Sequence, residues 1–144
     1  MSKRSSITKA LSEKFKEING TAPYSTDLYN NSFNKLKFWD EVQDFPCVYV
    51  TPGSEMREYL PGDFTWGFLG ICVKAYCKGE DAQTQLESLL QDLETCIDKN
   101  RVLQYDESGN ETTEILITSI TTDEGLLDPY AVGEINLQVR YQVV

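Results

Sequence analysis

The chain contains no histidine. That absence removes imidazole-based catalytic triads, histidine metal ligands and an imidazole charge switch near neutral pH. The four cysteines, Cys47, Cys72, Cys77 and Cys96, form no CxxC pair. Without closer spacing or histidine partners they do not read as a zinc site, and buried free thiols are expected. There is no glycine-rich phosphate loop and no GxSxG elbow. No apolar run is long enough to span a bilayer, and no signal-peptide core follows the basic N-terminus. A soluble protein made in a cytoplasm is expected.

Positive charge is also scarce. There are 13 Lys and Arg against 23 Asp and Glu, for a net charge of −10. The imbalance is uneven: residues 1–37 carry +4 and residues 38–144 carry −14. An acidic body argues against wrapping nucleic acid, because phosphate contacts need Lys and Arg. It suits a surface that repels DNA or meets basic partners. The acids do not assemble into an evident catalytic pattern. Asp40, Glu41 and Asp44 precede a strand, and Glu80 and Asp81 open a helix, so capping and solvation explain them. A restriction-type nuclease would place an acid two residues before a strand lysine, but Cys72 occupies that position relative to Lys74. No catalytic residue, cofactor or metal site is expected.

What is present centres on residues 65–100. The run from Trp66 to Cys77 is apolar and rich in β-branched and aromatic residues. It feeds a segment in which Ala82, Leu86, Leu89, Leu90, Leu93 and Ile97 recur at helical spacing. Acids at its start and Lys99 and Arg101 at its end match the helix dipole. The spacing predicts a strand followed by a one-sided helix. Alternation places Leu69, Ile71, Val73, Ala75 and Cys77 on one strand face and Trp66, Phe68, Gly70, Cys72, Lys74 and Tyr76 on the other. Both faces are largely apolar, so a central strand covered on both sides is expected, with a neighbouring subunit one candidate for the second cover.

Around this unit, Ile7, Leu11, Phe15 and Ile18 predict a first helix over about residues 7–18, capped by Ser5 or Ser6 and stopped at Asn19-Gly20. Residues 21–34 read as a long irregular connection, with Tyr24, Leu28, Tyr29 and Phe33 as anchors or contacts. A helical turn is expected over residues 38–42. Residues 45–51 predict a strand, Pro52-Gly53 a turn, and residues 55–60 a projecting arm closed by Pro61-Gly62-Asp63. Residues 112–122 and 132–144 predict two further strands, the second alternating cleanly between apolar and polar residues. Between them lies an acidic loop carrying Leu126 and Leu127. The sum is a single α+β domain over residues 1–144: a mostly antiparallel sheet of four to five strands, two helices packed on one face, and a projecting hairpin arm.

The order of elements, the segments FPCVYVTPG and GICVKAYCKGEDAQTQLESLLQDLETCID, and the closing strand VGEINLQVRYQVV resemble tail terminator proteins of long-tailed bacteriophages. The helix pattern carries Asp81, Ala82, Leu86, Leu89, Leu90, Asp92, Leu93 and Ile97 at family-like positions, and the resemblance covers about residues 7–144. It implies a structural virion protein made in the host cytoplasm, with no active site. Such a protein forms a ring, usually a hexamer, on the head-proximal end of the tail tube. It stops tube polymerisation and offers a surface for head–tail joining. Its partners would be further copies of itself, the tail tube protein and a head-completion or connector protein, with DNA passing through the lumen unbound and no membrane involved. On this basis the arm, with Met56, Tyr59, Leu60, Phe64 and Trp66, is expected at the subunit interface. The loop with Glu124, Leu126, Leu127, Asp128 and Tyr130 is expected to face tube or head. Two alternatives remain open from the sequence: a connector or head-completion protein on the portal side, and a monomeric binding module or small enzyme.

Overall fold

The structure, a computed structural model, describes residues 2–143. Its elements in chain order are α1 (Lys3–Phe15), β1 (Ser32–Phe33), β2 (Cys47–Leu60), β3 (Phe64–Lys78), α2 (Ala82–Lys99), β4 (Glu114–Thr122) and β5 (Tyr130–Gln142). The strands form one sheet in the order β1-β2-β3-β5-β4. Only the short β1–β2 pair is parallel. This is the expected α+β arrangement, with both helices on one sheet face.

The first helix starts four residues before its expected position. Ser2, with extended backbone, accepts a hydrogen bond from the Ser5 amide at 3.1 Å, so the cap lies at Ser2 rather than at Ser5 or Ser6. The helix buries Ile7, Leu11 and Phe15, and Ile18 joins the same core from the turn beyond it. The second helix runs as its periodicity predicts. It presses on β5 so closely that a Cβ at Gly133 would stand 3.0 Å from both Leu86 and Leu90 methyl carbons. Beneath the helices lie Val48, Val50, Leu69, Ile71, Val73, Ala75, Ile135, Leu137 and Val139. Complete burial of one such side chain contributes about 1.5–3 kcal/mol.

The irregular connection after α1 is fastened by a buried carboxylate. Asp92, on α2 and 3% exposed, accepts from the Ser25 amide at 3.1 Å, the Thr26 amide at 2.7 Å and the Thr26 hydroxyl at 2.5 Å. Tyr24 and Leu28 thereby enter the core, whereas Tyr29 stays exposed.

One expectation is corrected. Pro52-Gly53 does not turn the chain. β2 runs through it, and one extra residue is absorbed as a bulge between Pro52 and Glu55, opposite Ile71 and Leu69. β1 reaches only Val48 and Tyr49, so Pro52 lies on an edge stretch of β2, where its missing N–H is tolerated. Over most of its length the long strand β3 is covered by its own chain on one side only. Residues Trp66 to Lys74 on the face away from the helices have no second layer among the described residues, and their exposure is intermediate. Only the far end is roofed: Tyr76, Cys47 and Tyr49 pack under Phe33, Trp39, Val42 and Phe45.

Candidate assembly interfaces

The hairpin formed by β2 and β3 is closed by Pro61-Gly62-Asp63, with Gly62 at φ 83° and Asp63 at φ 60°. Only glycine takes such a φ freely; Asp tolerates it better than most residues. β5 accompanies β3 as far as Trp66 and the Val143 amide still donates to the Thr65 carbonyl at 2.9 Å, so the hairpin tip from Leu60 to Phe64 extends past the sheet. The sheet register assigns every side chain of this arm to a face. Leu60 pairs with Phe64, Glu58 with Trp66, and Met56 with Phe68, and all six lie on the face away from the helices. Tyr59 pairs with Thr65 and points to the opposite face, with Arg57. The period-two rule that puts Met56, Leu60, Phe64 and Trp66 together thus separates Tyr59 from them. It also adds Phe68, which the alternation from Trp66 already marks.

The arm is pre-shaped rather than loose. Phe64 and Trp66 meet edge to face with ring centroids 4.8 Å apart, and the Arg140 guanidinium lies 5.0 Å over the Trp66 ring. At the base of the arm, on the helix side, the Glu55 side chain is only 6% exposed. It accepts from the Tyr141 hydroxyl at 2.5 Å and from Arg57 Nε at 2.7 Å, while Arg4 Nε stands 3.8 Å away. Arg4 also donates to the Gly53 carbonyl inside the bulge. Burial, with the hydrogen bond to Glu55, pushes the Tyr141 hydroxyl up to about 12. The bulge, α1 and β5 are tied together at this point. Met56, 72% exposed, and Tyr59, 74% exposed, project beyond it.

Along the middle of the open face the residues are polar. Glu134 accepts from Lys74 at 3.1 Å and from Cys72 at 2.8 Å. These two hydrogen bonds hold the Glu134 carboxyl below the usual range. Burial first, and the bond to Glu134 second, push the Cys72 thiol up to about 12. All four cysteines are free, with Cys47, Cys77 and Cys96 buried.

The loop between β4 and β5 is built around Asp123. Its carboxylate accepts from Gln83 at 2.9 Å, from the Val132 amide at 3.0 Å and from the Leu127 amide at 3.1 Å. Burial works to raise its pKa, but these hydrogen bonds outweigh it and hold the carboxyl below its ordinary value. Glu124 and Gly125 take positive φ at the loop tip. Leu126 is 84% exposed, Glu124 and Asp128 are exposed, and Leu127 is half-buried. Tyr130 is already in β5, its ring 4.8 Å from that of Trp39 and under Lys78. It belongs to the roof over the end of β3 rather than to the loop tip.

Among the described residues no group of three or more His, Cys, Asp or Glu side chains is placed to hold a metal ion. Nor, among these residues, is any helix long and apolar enough to cross a membrane. What the surface offers is an apolar arm, a half-covered sheet face and an acidic loop.

Residues 1–144 match the family described as Bacteriophage Tail Tube Terminator Protein. The chain belongs to that family. It is 40% identical to the tail tube terminator protein p142 of Escherichia phage T5 over 153 residues, covering 99% of this chain and 95% of that protein. A chain from the virion of a native gene transfer agent particle superposes with a TM-score of 0.62 over 94% of both chains. At 6% identity that likeness shows a common fold. As a tail tube terminator, the protein is a structural virion component, not an enzyme.

Proposed function

We propose that this terminator closes into a ring of six copies on the head-proximal end of the tail tube. There it halts tube polymerisation and presents a surface to a head-completion or connector protein. The observation that carries this reading is the arm: Met56, Leu60, Phe64, Trp66 and Phe68 line one face of a braced hairpin, and no second layer covers them among the described residues. A ring closed by head-to-tail contacts needs two different, complementary patches per copy, and the arm supplies one. The acidic loop with Glu124, Leu126, Leu127 and Asp128 faces the tube or the head. The acidic balance of residues 38–144 keeps a lumen that passes DNA from retaining it.

The test is tube growth at limiting terminator. One ring per tube end predicts that growth stops when terminator is far scarcer than tube protein, about six copies per tube. Arrest that instead requires a one-to-one ratio of terminator to tube protein means that single copies sequester tube subunits, and contradicts a cap.

A further inference from the structure

We propose that the arm of one copy docks on an apolar shelf formed by Leu36 and Phe38 of the next copy. This rests on the ring described above and names the surface that receives the arm. Leu36 and Phe38 are exposed side chains on the segment that roofs the end of β3. The shelf is held in place by the Tyr76 hydroxyl, which donates to the Lys37 carbonyl at 2.7 Å. It therefore sits at the opposite end of β3 from the arm. Phe64 and Tyr76 are roughly 40 Å apart at about 3.3 Å per residue. Two different patches at opposite ends of one rigid hairpin cannot reach each other within a copy. Joined between copies they make a head-to-tail contact, the kind that closes rings.

Charge selects this shelf over three of the other exposed apolar residues, Leu126, Tyr29 and Val102. On the arm, Glu58 and Asp63 are exposed, and beside the shelf stand Lys35 and Lys37. Among the described residues none of these four has an ion-pair partner within 4.0 Å. Lys35 instead lies 5.3 Å over the Phe33 ring. The acids of the same segment, Asp40, Glu41 and Asp44, come after Trp39, so the basic stretch is confined to the residues bracketing Leu36. The competing patches are less suited. Leu126 is flanked by Glu124 and Asp128, and Tyr29 follows Asp27, so an acidic arm tip meets like charge at both. Val102 stands in a groove lined by acids and lysines alike. Apolar contact with opposite-sign rims is the arrangement that fixes register and excludes wrong pairings.

The experiment uses the full chain with Cys72→Ser, which removes the half-exposed native thiol, together with Phe38→Cys and Met56→Cys, the latter an exposed position on the apolar face of the arm. The protein is mixed with polymerising tail-tube subunits, treated with a short bis-maleimide, imaged, and run on a denaturing gel. The expected result is capped tubes and a ladder of linked terminator copies, absent when either new cysteine is omitted. Capped tubes without a ladder overturn the docking while leaving the ring intact. A ladder from Met56→Cys alone means that arms meet arms, and a link from it to tube protein means that the arm docks on the tube; either overturns the proposal. Tubes left uncapped by the unmodified chain overturn the ring itself. If the cysteine variant does not cap, Glu58→Lys and Lys37→Glu decide. Each alone is expected to raise the protein needed to cap half the tubes by about tenfold, and the two together to restore capping. Two singles that cap normally, or a double no better than its worse single, refute the shelf.

Discussion

Replacing Asp92 by alanine removes one carboxylate and strands three donors from a loop 66 residues away in sequence, the amides of Ser25 and Thr26 and the Thr26 hydroxyl. Each hydrogen bond to a charged acceptor is worth about 1.5–3 kcal/mol when intact, and a stranded buried donor costs about 1–3 kcal/mol. Water entering the vacated space recovers part of this, so the expected loss is about 3–4 kcal/mol. In urea, with a slope of about 1–3 kcal/mol per molar, the unfolding midpoint should fall by roughly 2 M. Asp92→Asn keeps one acceptor and should lose about half as much. A second signature is local: hydrogen exchange at Ser25 and Thr26 should accelerate more than at core amides such as Ile71 and Leu137. The loop leads into β1 and then the Leu36–Phe38 shelf, so capping should weaken before the protein unfolds. A loss below about 1 kcal/mol, with unchanged exchange at both amides, would refute the claim that this carboxylate fastens the loop.

Met56→Asp places a charge on a side chain that is 72% exposed, so the melting temperature should stay within a degree or two while tube capping is lost; thermal melts and tube counts check this. Gly67→Ala should destabilise by about 1–3 kcal/mol, because its Cβ would stand 2.7 Å from the Tyr141 ring and 2.9 Å from a Val143 methyl; a denaturant titration reads it. Asp123 has a depressed carboxyl pKa in the folded state, so its stabilising contribution is full above the unfolded value of about 3.9 and is lost as pH falls through the lower folded value. Asp123→Asn should accordingly flatten the acid limb of the melting temperature measured between pH 3 and pH 7, and leave the loop with Leu126 more open to protease.

Legibility of the fold in the sequence followed the periodicity of each element. α2 and β5 each have one wet face, so spacings of 3.6 and 2 expose them directly. The sequence set the start of α1 at Ile7 because the apolar stripe begins there, but the cap at Ser2 adds Lys3–Ser6, whose side chains contribute little to that stripe. At Pro52-Gly53 the local turn chemistry was overridden by pairing with β3, which a bulge preserves. The apolar residues on both faces of β3 call for two covers, of which the chain itself supplies one over most of the strand. Sequence records that a face avoids water but not whether its cover is the same chain or another copy. Of the interface residues expected in the arm, four share one face and Tyr59 lies on the other, a separation that needs the hairpin register. Asp92 stands in the helix pattern, but its role as a buried acceptor was not legible, because it adjoins an apolar stripe and its donors lie far away in the chain.

The most direct test of the central claim is electron microscopy of tail tubes grown with this protein, with its copy number measured at the tube ends. Six copies forming a ring at one end of each tube, with growth halted there, is the predicted result. Tubes that elongate unchanged with bare ends, or that carry the protein along their length, would contradict it.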